Sequence, residues 1–183
     1  MRHKLIVLLG AALAAASPAH AEVAGSGGSG FVSHNEALVD ATPAEAWATM
    51  VQPGQWWNGA HTYSGNAANM TLDARAGGCF CETVPGSGGE IEHMRVLYTA
   101  PGEALRLSGG LGPLQSEAVT GVLTMALTPE GDMTRISWDY VVGGYARMAL
   151  ADLAPLVDQV VGEQLLRLSA RLGRVVDPAA RRP

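Results

Sequence analysis

The hydrophobic and polar positions change period twice along this chain. Residues 31–40, FVSHNEALVD, partly alternate as a half-buried strand does. The next segment, ATPAEAWATMV, turns to helical spacing. Thr42 stands where a cap belongs, Pro43 at the first helical position, and Glu45 closes a capping box. A long irregular stretch follows, containing GQWWNGAHTYSGNAAN. Strand-like segments return near 70–75, 79–84, 91–100, 103–108, 117–128 and 133–142, punctuated by Gly, Pro and Asp turns. From about Ala149 the period is helical again. Val157, Val161, Leu165, Leu168 and Leu172 form one face, leaving Glu163, Arg167, Arg171 and Arg174 for solvent. Pro155 suits a first helical turn, which predicts a short helix before it and a long one to about Val175. A strand, a short helix, six more antiparallel strands and a long amphipathic helix give an α+β fold. Its curved sheet of about seven strands wraps on the C-terminal helix.

The two ends change that picture. MRHKLIVLLGAALAAASPAHA carries Arg2 and Lys4, an apolar run over 5–16, and the small-x-small ending Ala19-His20-Ala21, the pattern of a secretory signal peptide spanning 1–21. The run is shorter than the roughly 20 residues of a membrane-spanning helix. An exported, periplasmic protein without an integral membrane segment is therefore expected. EVAGSGGSG, 22–30, reads as a flexible Gly/Ser tether, 31–175 as the single domain, and 176–183 as a disordered tail. Removing Arg2 and Lys4 moves the formal charge from −5 to −7, and no lysine follows Lys4. An acidic surface of this kind argues against nucleic acid as a partner. Nothing in the sequence sets an oligomeric state.

The element order is also the helix-grip plan, and with it the sequence resembles the START-like (SRPBCC) superfamily. Within that superfamily it is most similar to the bacterial, polyketide-cyclase-like branch named after the activator of the heat-shock ATPase. The resemblance covers 31 to about 175 and rests on ATPAEAW, DARAGGCFCE, LRLSGGLGPLQ, ISWDYVVGGY and LVDQVVGEQLLRLSARL. It implies an apolar ligand held between sheet and long helix. The signal peptide separates this chain from a co-chaperone role.

The stretch RAGGCFCETVPGSGGEIEHMRVLY holds the chemistry that needs weighing. With PGSGG as the hairpin loop, Val84 faces Glu90, and Glu82 pairs with Glu92, Cys81 with His93, Phe80 with Met94, and Cys79 with Arg95. Phe80, Glu82, Val84, Glu92, Met94, Val96 and Tyr98 then face the concave side, and Cys79, Cys81, His93 and Arg95 the other. Alternate strand residues lie about 6.5 Å apart, near the upper limit for a disulfide. As metal ligands the two thiols and His93 make three donors where a structural zinc wants four. As a nucleophile, Cys81 beside His93 lacks a pocket on that face. Two small packing residues are the favoured reading, with no metal and no cofactor. Glu82 and Glu92 at a pocket mouth could act as acid and base, but no established catalytic motif is present and no catalytic residue is assigned.

Aromatic residues point to the ligand. Trp56 and Trp57, with His61 and Tyr63 behind them, occupy a loop long enough to be functional, and Trp138 and Tyr140 share one strand face. The candidate ligand-binding set is therefore Trp56, Trp57, His61, Tyr63, Phe80, Glu82, Glu92, Met94, Tyr98, Trp138 and Tyr140. It predicts a non-enzymatic domain that binds a small hydrophobic or amphipathic molecule, a lipid among them. A cofactor-free cyclase or hydrolase is one alternative. A protein-interaction module whose cavity is filled by its own Leu and Met side chains is the other.

Overall fold

This computed structural model describes residues 21–173. Within them eight strands form one antiparallel sheet. They are β1 (Ala21–Gly27), β2 (Gly30–Val39), β3 (Met70–Leu72), β4 (Cys79–Val84), β5 (Gly89–Ala100), β6 (Ala104–Ser108), β7 (Ala118–Glu130) and β8 (Met133–Tyr145). Their spatial order is β1-β2-β8-β7-β6-β5-β4-β3, so β3 to β8 run as a meander and β2 returns to pair with β8. Helix α1 (Pro43–Met50) follows β2, and helix α2 (Leu150–Arg171) ends the domain against the sheet. This is the α+β helix-grip arrangement that the periodicity predicts.

Residues 22–30, expected as a tether, instead form most of β1 and its turn into β2. Glycine and serine do not prevent pairing when β2 offers an open edge. The predicted signal peptide, up to its last residue, and the predicted tail lie outside the described residues. Among the described residues no helix is long and apolar enough to cross a membrane.

Local signals set the elements as expected. Thr42 Oγ1 accepts from Glu45 N at 3.3 Å and Glu45 Oε2 accepts from Thr42 N at 2.8 Å, completing the capping box. Helix α2 is continuous through Pro155 rather than split there. The proline lies in the second turn, where it removes a single intrahelical bond. Gly173, at φ +69°, ends the helix in the left-handed conformation, and its carbonyl accepts from Asp40 N.

The core fills the space between the concave face and α2. Alternate residues of β6, β7 and β8, including Leu105, Leu107, Leu123, Met125, Ile136 and Trp138, meet Leu153, Val161, Leu165 and Leu168 of the helix. One polar cluster is buried in this layer. Asp158 of α2 accepts from Ser33 Oγ at 2.6 Å and Asn35 Nδ2 at 3.2 Å, which fixes helix against β2 by satisfied hydrogen bonds.

Two β-bulges on β5 set which side chains reach the core. Val84 pairs with Gly89, so the turn is one residue shorter than expected, and Cys81 pairs with Glu92 rather than with His93. One extra residue on β5, His93, then restores the expected pairs Phe80–Met94 and Cys79–Arg95. His93 and Met94 therefore both point inward, and Glu92 points out, bonded to Arg95. A second shift at Leu97 turns Leu97 and Tyr98 outward together, and Tyr98 lies under the Arg106 guanidinium. Expecting His93 outside and Glu92 and Tyr98 inside is corrected by these two bulges.

The cysteines are also corrected. Cys79 and Cys81 form a disulfide across a Cα–Cα distance of 5.4 Å. The register shift between Phe80 and Cys81 disturbs the regular ladder and brings the two closer than an ideal strand would.

Candidate functional site

A cavity of about 410 Å³ opens between α2, the irregular segment after α1 and the connection from β6 to β7. Its size falls in the range of pockets that enclose small ligands. The apolar wall comes from α2, where Leu153, Leu156, Val157, Val160 and Val161 recur at helical spacing, and from Trp57 and Leu111. Leu156 is 60% exposed although apolar, because it stands at the rim. The polar wall holds His61, Thr62, Tyr63 and His93.

Three devices position these walls. Trp57 is buried, its Nε1 donating to His61 O at 3.0 Å, so the indole braces the segment from which His61 and Tyr63 project. That segment is fastened to α2: Asn58 N donates to Gln164 Oε1 at 2.8 Å, Arg167 Nε to Trp56 O at 2.9 Å, and His61 Nε2 meets Glu163 Oε2 at 3.1 Å. On the other side Tyr140 holds the connection from β6. Its hydroxyl donates to Gly109 O at 3.0 Å and accepts from Leu111 N at 3.1 Å. Burial pushes that phenol up to about 12, so it stays neutral. The ring fits because position 121 is glycine; a Cβ there would lie 2.2 Å from a Tyr140 ring carbon.

The chemically distinctive part is the pair Glu82 and His93. Glu82 is fully buried and accepts from Tyr63 N at 3.1 Å, Ser64 N at 2.5 Å and His93 Nε2 at 3.0 Å. Burial alone would push this carboxyl up, but the hydrogen bonds from Ser64, Tyr63 and His93 outweigh it and hold Glu82 below its ordinary range. Burial pushes His93 down from 6.5 against the opposing pull of Glu82. A carboxylate facing a neutral imidazole assigns the proton to Nε2. Nδ1 is then a lone-pair acceptor, with no hydrogen bond to it among the described residues. The ring lies against Tyr63 and Phe80, at centroid distances of 5.9 and 5.3 Å.

A second space, of about 20 Å³, lies behind the first. Trp56, Phe80, Trp138, Met50, Leu107 and Met125 are among its lining residues, and Trp57, Leu111 and Val161 border both spaces. Trp138 is buried, and its Nε1 has no hydrogen-bond partner among the described residues.

The sequence-derived set thus divides by depth. Trp57, His61 and Tyr63 line the main cavity; Trp56, Phe80 and Trp138 line the inner void. Glu82 stands behind His93, Met94 is core, and Tyr140 braces a loop. Glu92 and Tyr98 lie on the outer face. Sequence reasoning missed His93 as a cavity residue, since no pattern marks a bulge one residue in advance. The cavity residues of α2 and Leu111 are likewise absent from that set, although Leu156, off the buried stripe of the helix, is an available signal. Among the described residues no three His, Cys, Asp or Glu side chains gather as a metal site.

No family model matches the chain, and no curated protein does. Solved structures do. Protein Mll3558 from Rhizobium loti is 20% identical, with a TM-score of 0.58, covering 77% of this chain and 96% of its own. EF2215 from Enterococcus faecalis, a conserved protein of unknown function, is 12% identical with a TM-score of 0.56, covering 81% and 74%. CalU16 from Micromonospora echinospora is 15% identical with a TM-score of 0.51, covering 81% and 77%. At these identities the likeness establishes a common fold.

Proposed function

We propose that this chain is an exported START-like domain that binds a small, mainly apolar ligand with a polar end in the cavity between the loop segment and α2. The observation that carries the reading is the cavity itself, about 410 Å³ with an apolar helix wall facing a short row of polar side chains. A ligand burying roughly 200 Å² of apolar surface there would gain about 5 kcal/mol before its ordering costs. The open cavity favours a binder over an interaction module with a filled core. Export is supported by the signal-like N-terminus and by the Cys79–Cys81 disulfide, since such bonds persist in oxidising compartments.

Native mass spectrometry of protein purified from the periplasm tests the ligand: a co-purifying small molecule, displaced when Leu156 and Val160 are replaced by Asp, is the expected result. Protein that carries no adduct and shows no change in Trp fluorescence with apolar probes would overturn the reading. N-terminal sequencing tests export, with Glu22 as the expected first residue.

A further inference from the structure

The polar wall has a handedness in hydrogen bonding that the apolar wall lacks. Glu82 cannot turn, because its two oxygens are taken by Tyr63 N and Ser64 N as well as by the imidazole. Its charge fixes the proton of His93 on Nε2. Nδ1 is therefore an acceptor that cannot become a donor without a change in charge or tautomer. We infer that the cavity selects ligands carrying a hydroxyl donor, with His93 Nδ1 accepting that hydrogen bond and Glu82 acting as the positioning residue behind it. This rests on the cavity being a ligand site and adds the chemistry of the ligand's polar end.

Alternative acceptors on that wall are less suited to the role. His61 and Tyr63 are both exposed, Tyr63 at 53%, so an acceptor on either competes with water, whereas His93 is only 5% exposed. A buried neutral acceptor pays little to lose water, whereas an unmatched ligand hydroxyl entering an apolar cavity loses its water bonds without return. The discrimination comes from both sides: a hydroxyl finds its partner, and an ether brings a second lone pair against Nδ1.

The test uses 2-naphthol and 2-methoxynaphthalene, which share a ring system and differ in the donor. Calorimetry of the parent at about pH 8 should show the naphthol bound about tenfold more tightly, the value of one hydrogen bond. In His93→Phe the ratio should fall to about one while the ether keeps its affinity within about threefold. Glu82→Gln supplies a donor in place of the carboxylate and turns the ring to the other tautomer, so it too should remove the preference. The parent alone provides a third arm that needs no variant. The titratable groups around His93 are Glu82 from β4 and Tyr63 from the loop, with His61 and its partner Glu163 of α2 on the cavity's other side. As the pH falls well below 6.5, protonated His93 offers a donor at Nδ1 and the preference should disappear. Equal binding of the two probes by the parent at pH 8 overturns the inference and leaves the cavity reading standing. A preference that survives in folded His93→Phe, or in the acidified parent, also overturns it. Binding of neither probe overturns the cavity reading and the inference with it.

Discussion

Glu82 shows how one side chain joins stability to the site. Its carboxylate is the acceptor for two backbone donors of the loop as well as for His93, so Glu82→Leu should strand three donors and cost about 2–4 kcal/mol in chemical denaturation. Acid should act through the same pair. The folded values of His93 and Glu82 both lie below the ordinary 6.5 and 4.5. In the window between folded and unfolded values the unfolded chain binds the extra proton, so stability rises with pH there. The contribution of each group is complete above its unfolded value and is lost as the pH falls through its folded one. Melting temperature should therefore decline first below about 6.5 and again below about 4.5. His93→Phe should flatten the first step and leave the second.

At the scale of elements, the two bulges on β5 explain which parts of the site could be read from sequence. Strand existence, the capping box at Thr42, the amphipathic α2 and the phase of Phe80 and Glu82 follow from period and local chemistry, and all appear in the fold. The phase of His93, Glu92 and Tyr98 does not: a turn one residue shorter than expected sends Glu92 outward, the extra residue His93 points inward before the expected phase resumes at Met94, and the second shift turns Tyr98 out, none of which leaves a mark in the alternation. The disulfide was misjudged for a related reason: the distance came from an ideal strand, and this pair sits where the ladder is disturbed. Its closed loop is very short, so it stabilises little by chain entropy, on the order of 1.5 kcal/mol. Replacing both cysteines by Ser should lower the melting temperature by less than about 10 °C, and the unreduced parent should show no thiol in a colorimetric assay. Helix α2 presents a second element-scale contrast. Its first turns begin at Ala149 without a side-chain cap and contain Pro155, while its later turns hold Asp158, Gln164 and Arg167 bonded to other elements. Amides of 151–154 should exchange with solvent faster than those of 160–168, and a cavity ligand should slow them selectively.

For the whole molecule, the sheet and the C-terminal half of α2 are joined by buried packing, with hydrogen bonds from that half to the loop, and the cavity occupies the end where helix, loop and the β6–β7 connection meet. The wall between the main cavity and the inner void consists of Trp57, Leu111 and Val161. A partition at the bottom of a binding space acts as a ruler. In a series of 4-alkylphenols, affinity should climb with each added methylene by roughly 0.8 kcal/mol or less and then stop rising once the chain meets the indole. Trp57→Leu should move that stopping point to longer chains, at a cost in stability of about 2–4 kcal/mol from the vacated volume. The position of one indole would then decide which member of a homologous series the protein retains, so changes at residue 57 alone could retune its chain-length preference while the chemistry of the polar end stays as it is.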